Sequence, residues 1–194
     1  MKPTWNNYEI TLNGNGATTA GTTKLYTTFA TGVYTDSGRS TVMSTTANGI
    51  TVPQRKYTVT YNANGGSVST SSATSTYEFK GMYDSTSGTS QYIGSNGRIT
   101  DAGLTKGKGT AGNQTWYAQW TSKAVTLPTP SRTGYTFAGW YTAASGGTKI
   151  GAAGASYTPT ANITVYAQWT ACTYTVNYNS NKPSAATASI TGST

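Results

Sequence analysis

The sequence lacks most of the side chains that carry enzyme chemistry. Its 194 residues include no histidine, one cysteine and five acidic residues. Without histidine the chain has no ordinary catalytic triad and lacks the commonest metal ligand. The acidic residues are far apart in the chain, which disfavours the paired carboxylates of a glycosidase; they are Glu9, Asp36, Glu78, Asp84 and Asp101. We therefore expect no enzymatic activity and no cofactor.

Cysteine and long apolar runs are also scarce. The single Cys172 excludes an intrachain disulfide, and no second thiol lies near it to form a metal site. A bacterial extracellular protein that manages without disulfides fits this pattern. No window approaches the roughly 20 apolar residues of a membrane-spanning helix. We predict no membrane insertion.

Charged residues are few and mostly positive. They make up 9% of the chain, against roughly 25% in typical soluble domains. Thirteen Lys and Arg against five Asp and Glu give a net charge of +8. The cations are scattered, and even the adjacent Arg55 and Lys56 do not extend into a patch that could track phosphates. We predict a mildly basic, solvated surface and no nucleic-acid site.

The residues that are abundant favour β-strands and turns. The chain has 15 Tyr and 5 Trp among many Thr, Ser, Gly and Asn, and no window shows helical periodicity of apolar residues. Strict alternation over 8–13, 57–62 and 174–179 predicts three copies of one opening strand, each followed by an Asn or Gly turn signal. The predicted fold is mainly β with little helix.

Two further phrases recur behind the opening strands. One has the pattern Phe-x-Gly-x-Tyr at 79–83 and 137–141, and the other reads WYAQW at 116–120 and VYAQW at 165–169. A lead-in with Pro and Arg also occurs twice, as VPQRKYTV and LPTPSRTGYTF. Such repetition indicates several small units that bury their own faces or their neighbours'. The predicted units are a partial first repeat at 1–56, a second at 57–121, a third at 122–170 and a truncated fourth at 171–194.

Together these phrases are similar to a known family. YTVTYNANGG, SRTGYTFAGWYT and ITVYAQWT resemble the Listeria-Bacteroides repeat, the internalin B-repeat type. The resemblance is close over 123–170, is stretched by insertions over 57–121, and is partial at both ends. It implies a bacterial cell-surface or secreted protein whose repeats form stalks around adhesive or enzymatic domains. It also implies tandem β-grasp-like units without catalytic residues.

The repeated aromatic residues suit either a core or a ligand surface. Trp120, Trp140 and Trp169 could stack on sugar rings, because an exposed indole offers a flat apolar face with a donor at its edge. The same positions face inward on alternating strands, and small units poor in aliphatic residues must bury large ones, so we favour the core. The residues kept as glycan or partner contacts are Tyr83, Trp140 and Tyr141.

The last opening strand has no partner phrases after it, which leaves a strand edge to be capped or paired. We predict that Tyr174, Val176 and Tyr178 belong to an assembly strand, which joins molecules head to tail by β-strand addition. The predicted function is a surface stalk or adhesin element. Its partner is a second copy, a neighbouring repeat, or a host or cell-wall glycan or protein. The alternative is a carbohydrate-binding module that uses exposed Trp and Tyr.

Overall fold

A computed structural model describes residues 6–177 and 192–193, and in these ranges strands dominate. The elements are β1 Asn7–Asn13, β2 Lys24–Thr28, β3 Gly32–Tyr34, β4 Arg55–Asn62, β5 Ser72–Tyr83, β6 Gln91–Gly94, α1 Asp101–Gly109, β7 Gln114–Thr121, β8 Val125–Thr126, β9 Tyr135–Tyr141, β10 Lys149–Gly151, β11 Ser156–Tyr157, β12 Ile163–Ala171, β13 Thr175–Val176 and β14 Gly192–Ser193. The predicted mainly-β class is confirmed. No helix in the described ranges is long and apolar enough to cross a membrane.

The chain forms two compact units whose segments alternate along the sequence. Within the described residues, the first unit comprises 6–58, 74–125 and 158–162. The second comprises 59–73, 126–157, 163–177 and 192–193. Each unit thus draws on more than one copy of the repeated phrases. The repeat boundaries predicted from the sequence, at 56, 121 and 170, remain a prediction.

The sheet of the first unit is built around a parallel strand pair. Its strand order is β5–β7–β1–β2–β3, and β6 also pairs with β5. The central strands β1 and β7 are parallel, with Ile10 opposite Gln114 and Leu12 opposite Trp116. The flanking pairs β1–β2, β2–β3, β5–β7 and β5–β6 are antiparallel.

The second unit repeats this arrangement. Its strands follow the order β10–β9–β12–β4, and β8 and β11 form a separate two-stranded sheet. Here β4 and β12 are the parallel pair, with Val59 opposite Ile163 and Tyr61 opposite Val165. The pairs β9–β12 and β9–β10 are antiparallel.

The two parallel pairs have the same register. At the start of each pair an asparagine side chain caps the opening strand. The backbone N–H of Glu9 donates to Oδ1 of Asn113, and that of Thr58 donates to Oδ1 of Asn162, both at 2.9 Å. Donor and acceptor are 104 residues apart at both pairs. The opening strands β1 and β4 therefore each pair with a WYAQW-type strand that lies far downstream.

The alternation predicted from the sequence places the apolar faces of these strands in two cores. The core of the first unit consists of Ile10, Leu12, Leu25, Val33, Met43, Ile50, Met82, Tyr92, Ile93, Ile99, Trp116 and Ala118. The buried apolar residues of the second unit include Val59, Tyr61, Leu127, Trp140, Val165 and Ala167. Each core contains a fully buried tryptophan, Trp116 in the first unit and Trp140 in the second.

The sequence patterns did not predict helix α1. Its N-cap is Thr100, whose Oγ1 accepts a hydrogen bond of 3.0 Å from the N–H of Gly103. Glycines usually weaken helices, but here they allow close packing. A Cβ at Gly103 would collide with the carbonyl of Tyr92, and one at Gly107 would lie 2.5 Å from Val33. The available signal is Thr100 at the N-cap followed by Asp101 in the first turn, and helical periodicity is absent because glycines form the buried face.

The Phe-x-Gly phrase forms a β-bulge in both units. The pairing of β5 with β7 skips one residue between Phe79 and Gly81, and that of β9 with β12 skips one between Phe137 and Gly139. The φ angles of Gly81 and Gly139 are +141° and +146°, which side chains rarely allow. The repeated glycine is therefore a requirement of the backbone.

Candidate functional site

Two of the repeated tryptophans tie the closing strand to the turn after the opening strand. Nε1 of Trp120 donates to the carbonyl of Asn15 at 3.1 Å, and Nε1 of Trp169 donates to that of Ala63 at 3.0 Å. Each indole also meets the phenylalanine of the bulge edge to face, with ring centroids 5.5 Å apart. These indoles have a structural role, as the core interpretation expected.

Trp140 lies in the core of the second unit. It is fully buried, its Nε1 donates to the carbonyl of Pro128 at 2.9 Å, and its ring centroid lies 5.3 Å from that of Tyr61. No face of this indole is open to a sugar. The predicted glycan or partner contact at Trp140 is therefore wrong. The rings are buried in the core, and the single N–H donor of the indole is already used within the protein.

The predicted contacts Tyr83 and Tyr141 occupy equivalent positions just past the bulge. Both are half-buried, and each faces a tyrosine of the neighbouring strand. Tyr83 is opposite Tyr117 in β7, and Tyr141 is opposite Tyr166 in β12. Each unit thus presents a cross-strand tyrosine pair. A role of these residues in ligand contact remains a prediction.

The recurring Pro and Arg lead-in places an arginine over tyrosine rings in both units. In the second unit, Cζ of Arg132 lies 3.8 Å from the ring centroid of Tyr135, which is 39% exposed. In the first, Cζ of Arg55 lies 4.7 Å from the Tyr77 ring, and its Nε donates to the hydroxyl of Tyr57 at 3.2 Å. The lead-in was visible in the sequence, but the stacking depends on the fold.

Arg132 also lines an open cavity of about 440 Å³, which we name the Arg132 cavity. Its other lining residues include Gly65, Gly66, Ser67, Ser131 and Tyr135. The two chain segments are joined by reciprocal backbone hydrogen bonds between Ser67 and Ser131, at 2.8 and 2.9 Å. Two chain segments that line the cavity are therefore held together by backbone hydrogen bonds.

Comparison with known proteins identifies the repeated phrases. Residues 57–87 and 104–168 match the model of the Listeria-Bacteroides repeat domain. Residues 57–87 and 104–168 carry the Listeria-Bacteroides repeat. The resemblance predicted from the sequence is thus confirmed, and the matched segments contain the phrases that form β4, β7, β9 and β12.

One known protein is similar to part of this chain. Internalin H of Listeria monocytogenes serovar 1/2a (strain ATCC BAA-679 / EGD-e) is 41% identical over 69 residues, which is 35% of this chain and 12% of Internalin H. The alignment thus spans about an eighth of that relative. No solved structure matches the chain.

The segment after the last repeat contains the predicted assembly strand. Tyr174 is 65% exposed and Val176 is 46% exposed. In the described residues β13 pairs antiparallel with β14, with Thr175 opposite Ser193 and Val176 opposite Gly192. Tyr178 lies outside the described residues. Pairing of this strand with another molecule remains a prediction.

Three of the acidic residues form exposed ion pairs or accept hydrogen bonds from nearby backbone amides. Glu9 pairs with Lys24 at 2.8 Å, and Glu78 lies 3.8 Å from Lys123, all largely exposed. Backbone N–H groups of Ser40 and Thr41 donate to the carboxylate of Asp36 and lower its pKa. In residues 6–177 and 192–193 no three His, Cys, Asp or Glu side chains group in a way that could hold a metal ion.

Proposed function

We propose that this chain is a non-enzymatic structural element of a bacterial cell-surface or extracellular protein, in which its repeats serve as a stalk that carries adhesive surfaces. Membership in the repeat family and the likeness to Internalin H support this role. We also propose that each unit is a β-grasp-like module. A parallel strand pair with an antiparallel neighbour in both units supports that assignment.

The parallel pair of each unit is the observation that most favours a stalk. In the second unit β4 and β12 are parallel neighbours, and in the first β1 and β7 are. When tension pulls such a pair from its opposite ends, the strands slide past each other, and all hydrogen bonds between them must break together. A protein that spans the gap between cell and target needs this resistance.

Single-molecule force spectroscopy tests the stalk role. The full chain is held by handles at both ends, and Asn162→Ala removes the cap that joins β12 to Thr58. We expect two unfolding events, of which the variant weakens one. Thr160→Ala, at an exposed loop position in the same chain, is the control. Unfolding at forces no higher than those of domains without a sheared strand pair would contradict the stalk.

We further propose head-to-tail assembly through the segment that contains Tyr174 and Val176. Two exposed apolar side chains, one in β13 and one just before it, support this, because such an edge favours pairing with another chain. Light scattering with size-exclusion chromatography compares the full chain with one that ends at Thr170. We expect concentration-dependent oligomers of the full chain and monomers of the shorter one. If both are monomers, the fibre is excluded while the stalk role stands.

A carbohydrate-binding module is the second candidate function, and the half-buried Tyr83 and Tyr141 support it. Because Trp140 is buried, neutral glycans that bind at these tyrosines should leave most tryptophan emission unchanged. To test this function, cell-wall glycans are titrated into the wild-type chain and into Tyr141→Ser, and the tyrosine resonances of both are followed by NMR. Wild-type spectra without shifts would exclude it.

A further inference from the structure

We propose that the Arg132 cavity binds the oxyanion group of an acidic polysaccharide. Arg132 supplies the cation, Tyr135 supplies a platform for a sugar ring, and serine hydroxyls supply hydrogen bonds. This site is separate from the predicted contacts at Tyr83 and Tyr141, and it does not depend on the stalk role.

The first argument is the missing counter-charge. All five acidic residues belong to the first unit, at positions 9, 36, 78, 84 and 101. The second unit, which contains Arg132, has no Asp or Glu. The ion pairs of the described residues are Lys24 with Glu9 and Lys123 with Glu78. Arg132 therefore lacks a carboxylate partner within its own unit.

The second argument is the state of the guanidinium. Within the described residues, one of its five N–H donors makes a hydrogen bond, from Nη1 to the carbonyl of Asn64 at a long 3.4 Å. Stacking 3.8 Å above the Tyr135 ring fixes the plane of the group without using its donors. A planar guanidinium with free donors matches a carboxylate or sulfate in a two-point contact.

The third argument is the chemistry of the cavity wall. The hydroxyls of Ser67 and Ser131 lie 3.0 Å apart, and since one hydrogen is enough for that bond, the other can donate to a ligand. Gly65 borders the guanidinium, and its φ of +84° is a conformation that favours glycine. The half-exposed ring of Tyr135 offers an apolar face at the rim.

The equivalent arginine of the first unit shows what a purely structural role looks like. Arg55 stacks on two tyrosine rings, at 4.7 Å from Tyr77 and 5.5 Å from Tyr57, and its Nε bonds to a tyrosine hydroxyl. Among residues 6–177 and 192–193, Arg132 stacks on one ring, and its hydrogen bond goes to a backbone carbonyl and not to a side chain. The difference leaves Arg132 available to a ligand.

Binding of the full chain to polygalacturonate, dextran sulfate and neutral dextran tests the proposal by isothermal titration calorimetry at low salt. We expect binding to one or both acidic polymers and none to neutral dextran. Binding to both points to any oxyanion, and binding to one identifies a carboxylate or a sulfate source. Because charge-assisted contacts are strong, Arg132→Gln should lower the affinity about tenfold or more. Arg132→Lys keeps the charge but loses the planar fork. Its affinity should lie between that of the wild-type chain and that of Arg132→Gln.

Lys149→Gln is the matched control, because it removes one positive charge from the same unit. The ammonium of Lys149 already donates to the carbonyl of Ala138 at 2.8 Å. We expect the affinity of Lys149→Gln for the acidic polymers to stay within about twofold of wild type, since a diffuse surface charge contributes little. Equal losses in Arg132→Gln and Lys149→Gln would overturn the proposal, as would wild-type chain that binds neither acidic polymer.

A measurement on the unmodified chain covers the case in which Arg132→Gln fails to fold. Galacturonate monomer is titrated into the wild-type chain, and the Nε–H resonance of Arg132 is followed by NMR. We expect this resonance to shift in a saturable way while that of Arg55 does not. Equal or absent shifts of the two arginines would refute the site.

Discussion

The indole nitrogen of Trp169 donates to the carbonyl oxygen of Ala63 across 106 residues of sequence, at 3.0 Å. In the first unit Trp120 reaches back to Gly14 over the same separation, at 3.2 Å. Each of these bonds lies at the end of a parallel strand pair, and an asparagine side chain caps the start of the same pair. The closing tryptophan is therefore the residue that fixes each distant strand against the turn of its opening strand.

Trp169→Phe should destabilise the second unit by about 1–3 kcal/mol, because it removes this hydrogen bond and part of the packed ring. Urea unfolding followed by circular dichroism measures the change. Trp120→Phe, the matched variant in the first unit, should cost a similar amount. A Trp169 variant as stable as wild type would show that the bond contributes nothing.

Gly139→Ala should destabilise the second unit by about 1–3 kcal/mol, because φ at this bulge is +146°. The added methyl would also lie 2.5 Å from Cε of Lys149. Thermal unfolding is the measurement. Gly109→Ala is the control, since a Cβ there meets nothing within 4 Å and the expected change is below about 0.5 kcal/mol. Similar losses in the two variants would contradict the assignment of strain to the bulge.

Substitutions of Asn64 should separate a backbone effect from a side-chain effect. Its Nδ2 donates to the carbonyls of Ala144 and Ala167 at 2.9 and 3.0 Å, and its φ is +48°. Asn64→Gly keeps the turn accessible and should cost about 1 kcal/mol through the lost hydrogen bonds. Asn64→Ala should cost more, because it also disfavours the positive φ. Chemical denaturation gives both values, and a neutral Asn64→Gly would assign the whole effect to the backbone.

Asp36 should make the stability of its loop depend on pH. Amide donors of Ser40 and Thr41 lower its pKa from the ordinary 3.8. Because the folded pKa is the lower one, the stabilisation is present above pH 3.8 and is lost as the pH falls through the folded pKa. The carboxyl carbon shift, followed by NMR against pH, should titrate below 3.8. In Asp36→Asn the unfolding free energy should fall less on acidification, and an unchanged pH profile would exclude the effect.

Local features of the fold were accessible to prediction. Alternation identified the opening strands β1 and β4, and the Phe-x-Gly and WYAQW phrases marked the strands β5, β7, β9 and β12. The sequence also favoured a core role for the tryptophans, which holds for Trp140. The helix α1 escaped prediction, because its buried face is made by Gly103 and Gly107 and has no apolar period.

The candidate sites were less predictable, because exposure depends on packing between distant segments. Tyr83 and Tyr141, which were predicted as contact residues, are half-buried, and each lies opposite a tyrosine of the adjacent strand. Arg132 was visible in a repeated lead-in. Its lack of an acidic partner emerges only once the chain is sorted into its two units.

By itself the sequence determined the mainly-β class, the repeated strands, the turns and the family, because side-chain alternation and turn chemistry act over a few residues. The tertiary structure decided which strands pair. The opening strand β1 pairs with β7 past the second opening strand β4, and β4 pairs with β12 past the WYAQW strand β7. Parallel pairing leaves no short-range signal, since no tight turn connects the strands. Only packing of the two faces, with the asparagine cap and the tryptophan bond at either end, selects the register.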